Sequence, residues 1–189
     1  SQTLVYDSFN RANVYLGNTE TGQAWLNIAG TPTTDWLVSG NVAKRSSTEA
    51  TIDHLTYVNC GKASISVSAD ITVGYQSSGA VLLARMSNIT PTTNHIRASI
   101  FTTGYAEIQK FVNGDPTLLA SSPIAIDANK TYHCVLTCNG NYFALMVNGI
   151  LAVSATDDNA LKTNTHVGMF MATYTVGSAD CFDNFVVKG

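Results

Sequence analysis

Charge is what this chain has least of. Asp, Glu, Lys and Arg make up 12% of its 189 residues, with a formal net charge of -3 at pH 7. That is about half the usual share of charged residues. Lys44-Arg45 is the one adjacent basic pair, so there is no electrostatic footing for phosphate backbones, and nucleic acid is excluded as a partner. Long apolar runs are missing too. None approaches the roughly 20 residues that span a bilayer, which excludes membrane insertion. No charged segment leads into an apolar core, so a signal peptide is expected to be absent or already removed.

Cysteine is sparse, at four residues. In Tyr132-His133-Cys134-Val135-Leu136-Thr137-Cys138 a strand would point both thiols to one face, with about 13 Å between their Cα atoms. A disulfide needs Cα atoms within about 7 Å. Cys60 and Cys181 would meet only if their strands were neighbours. Zinc sites usually show two close ligand pairs, and none is present. The four are expected to be reduced core thiols, which suits assembly in a reducing cytoplasm.

Catalytic signatures are missing as well. The three glutamates are Glu20, Glu49 and Glu107. None has a second carboxylate at the alternating spacing that sets two acids about 5 Å apart for retaining glycoside hydrolysis. His54, His95, His133 and His166 sit in separate segments, without a nucleophile elbow or a papain-like cysteine context. No glycine-rich loop opens a helix to hold phosphate. The expectation is a protein that is not an enzyme.

What the chain does have is hydrophobic residues at 45% and a polar complement of Ser, Thr and Asn, about 55 residues together, types that favour turns and exposed strand faces. Alternating or β-branched runs occur near 36–44, 50–58, 62–74, 78–87, 94–103, 105–112, 131–138, 141–147, 150–155, 165–175 and 179–187. Turn signals separate them, including Gly40-Asn41, Asn113-Gly114-Asp115-Pro116, Asn139-Gly140 and Asn148-Gly149. Many short strands at this spacing predict an all-β antiparallel β-sandwich or barrel. Residues 1–189 are read as a single domain.

Three stretches sharpen the fold. The opening Tyr6-Asp7-Ser8-Phe9-Asn10-Arg11-Ala12-Asn13, continued by Leu16-Gly17-Asn18 and Thr21-Gly22-Gln23-Ala24-Trp25, resembles the start of concanavalin A-like (laminin G-like) jelly rolls. That pattern is associated with bacteriophage tail and virion proteins and with some secreted bacterial proteins. The meander over 131–155 and the final Phe182-Asp183-Asn184-Phe185-Val186 are similar to the same group. The resemblance implies a concanavalin A-like jelly roll with its first and last strands side by side. It also implies a structural Ca²⁺ near them, with Asp7 and Asp183 as the metal candidates. Calcium takes six to eight oxygens, so a sequence displays only part of such a site. The alternative is that Asp7 caps the Asp7–Phe9 turn while Asp183 pairs with Arg11 or a backbone N–H.

Exposed aromatic rings stack on the apolar face of a pyranose while amides and acids take its hydroxyls. The candidates are Trp36, Tyr75, Tyr105, Tyr142 and Tyr174, with Trp25 assigned to the core. Arg85 and Arg97 fall on successive predicted strands, and positions 95, 97 and 99 share a face. His95, Arg97, Glu107, Gln109 and Arg85 could thus line one concave sheet face. The plainer alternative is a solvated face with cross-strand pairs such as Arg97 with Glu107, each worth about 0.2–1 kcal/mol.

The expected function is a non-catalytic, lectin-like carbohydrate-binding domain of a phage virion or tail protein, used in host-surface recognition. Its partners would be a cell-surface polysaccharide or glycan and other virion proteins, with any state from monomer to homo-trimer open. A structural decoration or fibre module is the alternative, and a divergent glycoside hydrolase using Glu107 a minor one. The expected location is the virion, or else the extracellular medium.

Overall fold

The alternation written into the sequence becomes strands throughout. The computed structural model describes residues 1–27, 35–46, 54–74, 79–87, 93–158, 161–171 and 179–189, and among these every regular element is a β-strand. In chain order they are β1 (Thr3–Asp7), β2 (Val14–Tyr15), β3 (Leu26–Asn27), β4 (Trp36–Ser39), β5 (Val42–Arg45), β6 (Thr56–Asn59), β7 (Ile65–Thr72) and β8 (Gly79–Met86). There follow β9 (His95–Phe101), β10 (Tyr105–Val112), β11 (Asp115–Pro123), β12 (Thr131–Asn139), β13 (Tyr142–Val147), β14 (Ile150–Thr156), β15 (His166–Met171) and β16 (Cys181–Lys188).

Two antiparallel sheets form a sandwich. The first runs β14-β13-β12-β7-β16-β5-β4-β2, with β1 also paired to β16. The second runs β11-β10-β9-β8-β15-β6-β3. First and last strands are therefore neighbours, in register Val5 to Val187 and Asp7 to Phe185. The inward positions of both sheets make one core, among them Val67, Ile71, Leu82, Ile96, Ala98, Ile108, Leu136, Phe143, Met169 and Phe182. Burial of that apolar area is the main stabilising term. Cys60, Cys134 and Cys138 are buried, Cys181 is partly buried, and all four are free thiols. Burial pushes Cys134 and Cys138 up to about 12.

Turn chemistry sets the hairpins, with two shifts from the sequence reading. Between β12 and β13 the pair Asn139–Tyr142 closes a turn whose central residues are Gly140 and Asn141, with Gly140 at φ 56°. The turn thus sits one residue later than Asn139-Gly140. Asn113-Gly114, with both residues at positive φ, reverses β10 directly into β11. Sequence alternation gives no strand over 115–123. Pro116 and Pro123 are tolerated there because β11 is an edge strand bonded only to β10.

Gly168 lies where β15 meets β6. A Cβ there would come 2.1 Å from the Thr56 carbonyl oxygen and 2.9 Å from Tyr57 Cα, both backbone atoms. Gly168→Ala must push the two strands apart, at a cost of about 1–3 kcal/mol or more. The expected result is a lower Tm; an unchanged Tm would show that the strands are not held this closely.

Candidate functional site

The main core takes one face of the second sheet. On the other, Leu55, Tyr57, Val81, Leu83, Met86 and Phe170 form a separate buried apolar cluster, with Leu26 against it. Beside this cluster the outward positions of β9 and β10 are polar or aromatic. Register places Gln109 opposite Arg97 and Glu107 opposite Ser99. Phe111 faces His95, and Tyr105 faces Phe101. Strand alternation alone explains the grouping, because Ile96, Ala98, Ile100, Ala106 and Ile108 all point into the core.

The details of this face follow from its partial burial. The Arg97 guanidinium carbon lies 4.2 Å from the centroid of the Phe111 ring and 4.8 Å from that of Phe170, a cation–π clamp between two rings. His95 stacks on Phe111 at 4.5 Å between centroids, and its Nδ1 is 3.0 Å from Thr93 Oγ1. Burial, then the charge of Arg97, pushes His95 down to about 3, so its ring is neutral. Burial raises the Glu107 carboxyl above its ordinary value, and Arg97 pulls it partway back. Phe101 and Tyr105 stack at 4.5 Å. The Phe101 ring lies over Gly79, where a Cβ would sit 2.4 Å from ring atoms.

Five of the sequence candidates therefore share a face, namely His95, Arg97, Tyr105, Glu107 and Gln109. Three others fall elsewhere. Arg85 does not follow the alternation of Val81 and Leu83. It takes φ 48°, and the pairing of β8 with β15 slips by one residue there. This bulge turns Arg85 inward, where it donates to the Ala63 and Gly140 carbonyls and lies over the Phe143 ring. Trp36 is a core residue, 2% exposed, with Nε1 donating to the His54 carbonyl and the ring against Phe182. It offers no platform to a ligand. Tyr75, like Tyr174, lies outside the described residues, and Tyr142 is exposed on the other sheet.

The proposed calcium pair does not come together as a cradle. Asp7 points into the core at 0% exposure, and its carboxylate accepts from Phe9 N, Arg11 Nη1 and Nη2, and Trp25 Nε1, at 2.6–3.0 Å. Arg11 Nη2 also donates to the Leu16 carbonyl. Asp183 stands on the outer face of the first sheet, paired across strands with Asp70 and accepting from Asn184 N. Two carboxylates on opposite faces of one sheet cannot share an ion. Among the described residues no cluster of three His, Cys, Asp or Glu side chains could hold a metal. The opening motif thus builds a hydrogen-bonded knot, with Asp7 as turn cap and acceptor of the Trp25 indole.

Ser99, Phe101, Phe111 and Phe170 belong to the face but were not among the candidates. Alternation from 95 and from 105 already puts Ser99, Phe101 and Phe111 there. Phe170 has no such signal, because it reaches the face only through the pairing of β15 with β8.

No protein-family model matches this chain, and no curated protein matches it in sequence. Solved structures match in fold. The carbohydrate-binding module CBM66 from Bacillus subtilis superposes with a TM-score of 0.67 at 17% identity, covering 87% of this chain and 95% of that one. A Bacillus subtilis protein of unknown function with a galectin-like fold gives 0.62 at 13% identity, over 93% and 94%. A Bacillus licheniformis β-glucanase gives 0.57 at 13% identity, over 99% and 97%. The chain has the galectin-like, concanavalin A-like jelly-roll fold.

Proposed function

We propose that this domain is a lectin-like glycan-binding module that uses the outer face of the second sheet. The observation that carries the reading is the gathering of Arg97, Glu107, Gln109, His95 and Tyr105 on one partly buried face framed by aromatic rings. Neutral sugars are held by such mixtures of stacking surface and convergent hydrogen-bonding groups. A binding module and a galectin-like protein among the fold neighbours support it.

A binding role is favoured over hydrolysis because Glu107 is the only carboxylate on β6, β8, β9, β10 and β15. Glycoside hydrolysis ordinarily uses two flanking carboxyls. The fold is shared with a glucanase, so a turnover assay belongs beside the binding one. The virion setting, with host-surface recognition as its purpose, rests on the opening motif alone. The assembly alternative draws on exposed Leu118, Ile150 and Leu151, on the edge strands β11 and β14. It would appear as a stable oligomer without sugar affinity.

The test is affinity electrophoresis of the full chain against a polysaccharide panel, with calcium and with EDTA. Retardation by at least one polysaccharide is expected, and none by any would overturn the reading. Acidification provides a second check. Because burial raises the folded-state Glu107 carboxyl, its ionisation lowers stability, and protonation through that raised range restores it. Sugar hydroxyls donate to the carboxylate, so affinity should fall over the same window while Tm holds or rises. Parallel falls of both would mean that acid acts by unfolding.

A further inference from the structure

Three Asn-Gly pairs occur in this chain, at 113–114, 139–140 and 148–149. Asparagine is thermolabile, and before glycine the reason is chemical. The backbone nitrogen of the glycine attacks the asparagine Cγ. The Cγ–Nδ2 bond breaks, and ammonia leaves behind a five-membered succinimide. Water then opens the ring at either carbonyl, giving an aspartyl or an isoaspartyl residue. One water enters and one ammonia leaves. Glycine permits the attack because no Cβ crowds its nitrogen. In a folded chain that nitrogen must also be free of an acceptor, and the asparagine amide must be free to turn toward it.

The three pairs differ in both respects. At Asn113-Gly114 the nucleophile is engaged, because Gly114 N donates to the Thr93 carbonyl at 3.2 Å. At Asn148-Gly149 the electrophile is engaged. Asn148 Oδ1 accepts from His133 N at 2.8 Å, and Asn148 N donates to the His133 carbonyl, which holds the residue against β12. Asn139-Gly140 has neither restraint. Among the described residues the Asn139 side chain makes no hydrogen bond and Gly140 N has no acceptor, and both residues are exposed. Gly140 is held through its carbonyl instead, which accepts from Arg85 Nη1 at 2.7 Å. The backbone differs as well. Asn113 and Asn148 sit in left-handed turn positions, at φ 52° and 50°, whereas Asn139 ends β12.

We infer that Asn139 is the residue at which the folded protein deamidates, with Asn113 and Asn148 protected by their hydrogen bonds. The conversion adds a negative charge at the pair that closes the β12–β13 hairpin, one residue from the carbonyl that holds Arg85. An isoaspartyl product also lengthens the backbone by one carbon there. The inference does not depend on glycan binding.

The experiment incubates the full chain, folded and in guanidinium chloride, in mildly alkaline buffer, where hydroxide removes the glycine amide proton. Peptide mapping by mass spectrometry follows each site, and an isoaspartyl-specific methyltransferase reports the isomer. The readout is each site's folded rate divided by its rate in denaturant, which cancels the effect of neighbouring residues. A hydrogen bond that must open first slows a site about 3- to 10-fold. The ratio for Asn139 should exceed those for Asn113 and Asn148 by that factor. Asn139→Gln should keep Tm and remove the main acidic species that forms as the folded chain ages. Persistence of that species in the variant would overturn the inference. Equal ratios at the three sites, or Asn113 or Asn148 ahead, would do the same. So would a folded chain in which Asn139 stays intact while it converts in denaturant.

Discussion

Asp7→Ala should lower stability by about 3–5 kcal/mol, the range for removing one partner of a buried ion pair. For a chain of this size that is a fall in Tm on the order of 10 °C. The carboxylate is wholly buried and answers four donors at once, from Phe9, Arg11 and Trp25. Its loss strands the Trp25 indole N–H in the core and leaves Arg11 with only the Leu16 carbonyl among these partners. Arg11→Ala should cost less, because that side chain is 26% exposed and the remaining donors still reach the carboxylate. A double-mutant cycle should show strong coupling between the two. Thermal melts in calcium and in EDTA should show the same drop. A drop confined to calcium would instead make Asp7 a metal ligand.

Glu107→Gln should weaken glycan binding about 10- to 100-fold, the value of a hydrogen bond to a charged acceptor. The substitution keeps shape and removes an anion whose ionisation burial opposes, so Tm should hold or rise. That opposition of signs separates a ligand-binding role from a structural one. A loss of Tm with affinity intact would place Glu107 in the scaffold, as in the plain cross-strand pairing with Arg97. The same variant bears on chemistry. If the wild-type chain released reducing sugar and Glu107→Gln did not, Glu107 would be catalytic and the binding-module reading would give way to hydrolysis.

Much of the candidate face was legible because strand periodicity is local. Knowing that 95–101 and 105–111 are strands is enough to put His95, Arg97 and Ser99 on one side and Glu107 and Gln109 on the same side across a hairpin. The three-residue turn Thr102-Thr103-Gly104 sets the pairing, with Gly104 N donating to the Phe101 carbonyl. Arg85 was misplaced by the same logic. One inserted residue with left-handed backbone inverts every side chain beyond it. Nothing in Leu83-Ala84-Arg85-Met86 announces that insertion, since Arg is not a residue that favours positive φ.

Trp36 and Asp7 illustrate a second limit. An aromatic ring or a carboxylate carries the same chemistry whether it faces solvent or core, and only its neighbours decide which. The neighbours of Trp36 are Phe182 and the His54 carbonyl; those of Asp7 include Trp25 and Phe185 beside it.

By itself the sequence determined that this is an all-β antiparallel sandwich, weakly charged, with its hairpins at Gly- and Asn-rich turns. Those properties depend on composition and on period-two patterning, which act over a few residues. Only the tertiary structure decided which face is partly buried and polar, that β15 brings Phe170 to Arg97, and that Asp7 and Asp183 stand on opposite sides of one sheet. Those depend on strand order and on a single bulge, set by contacts between residues far apart in the chain.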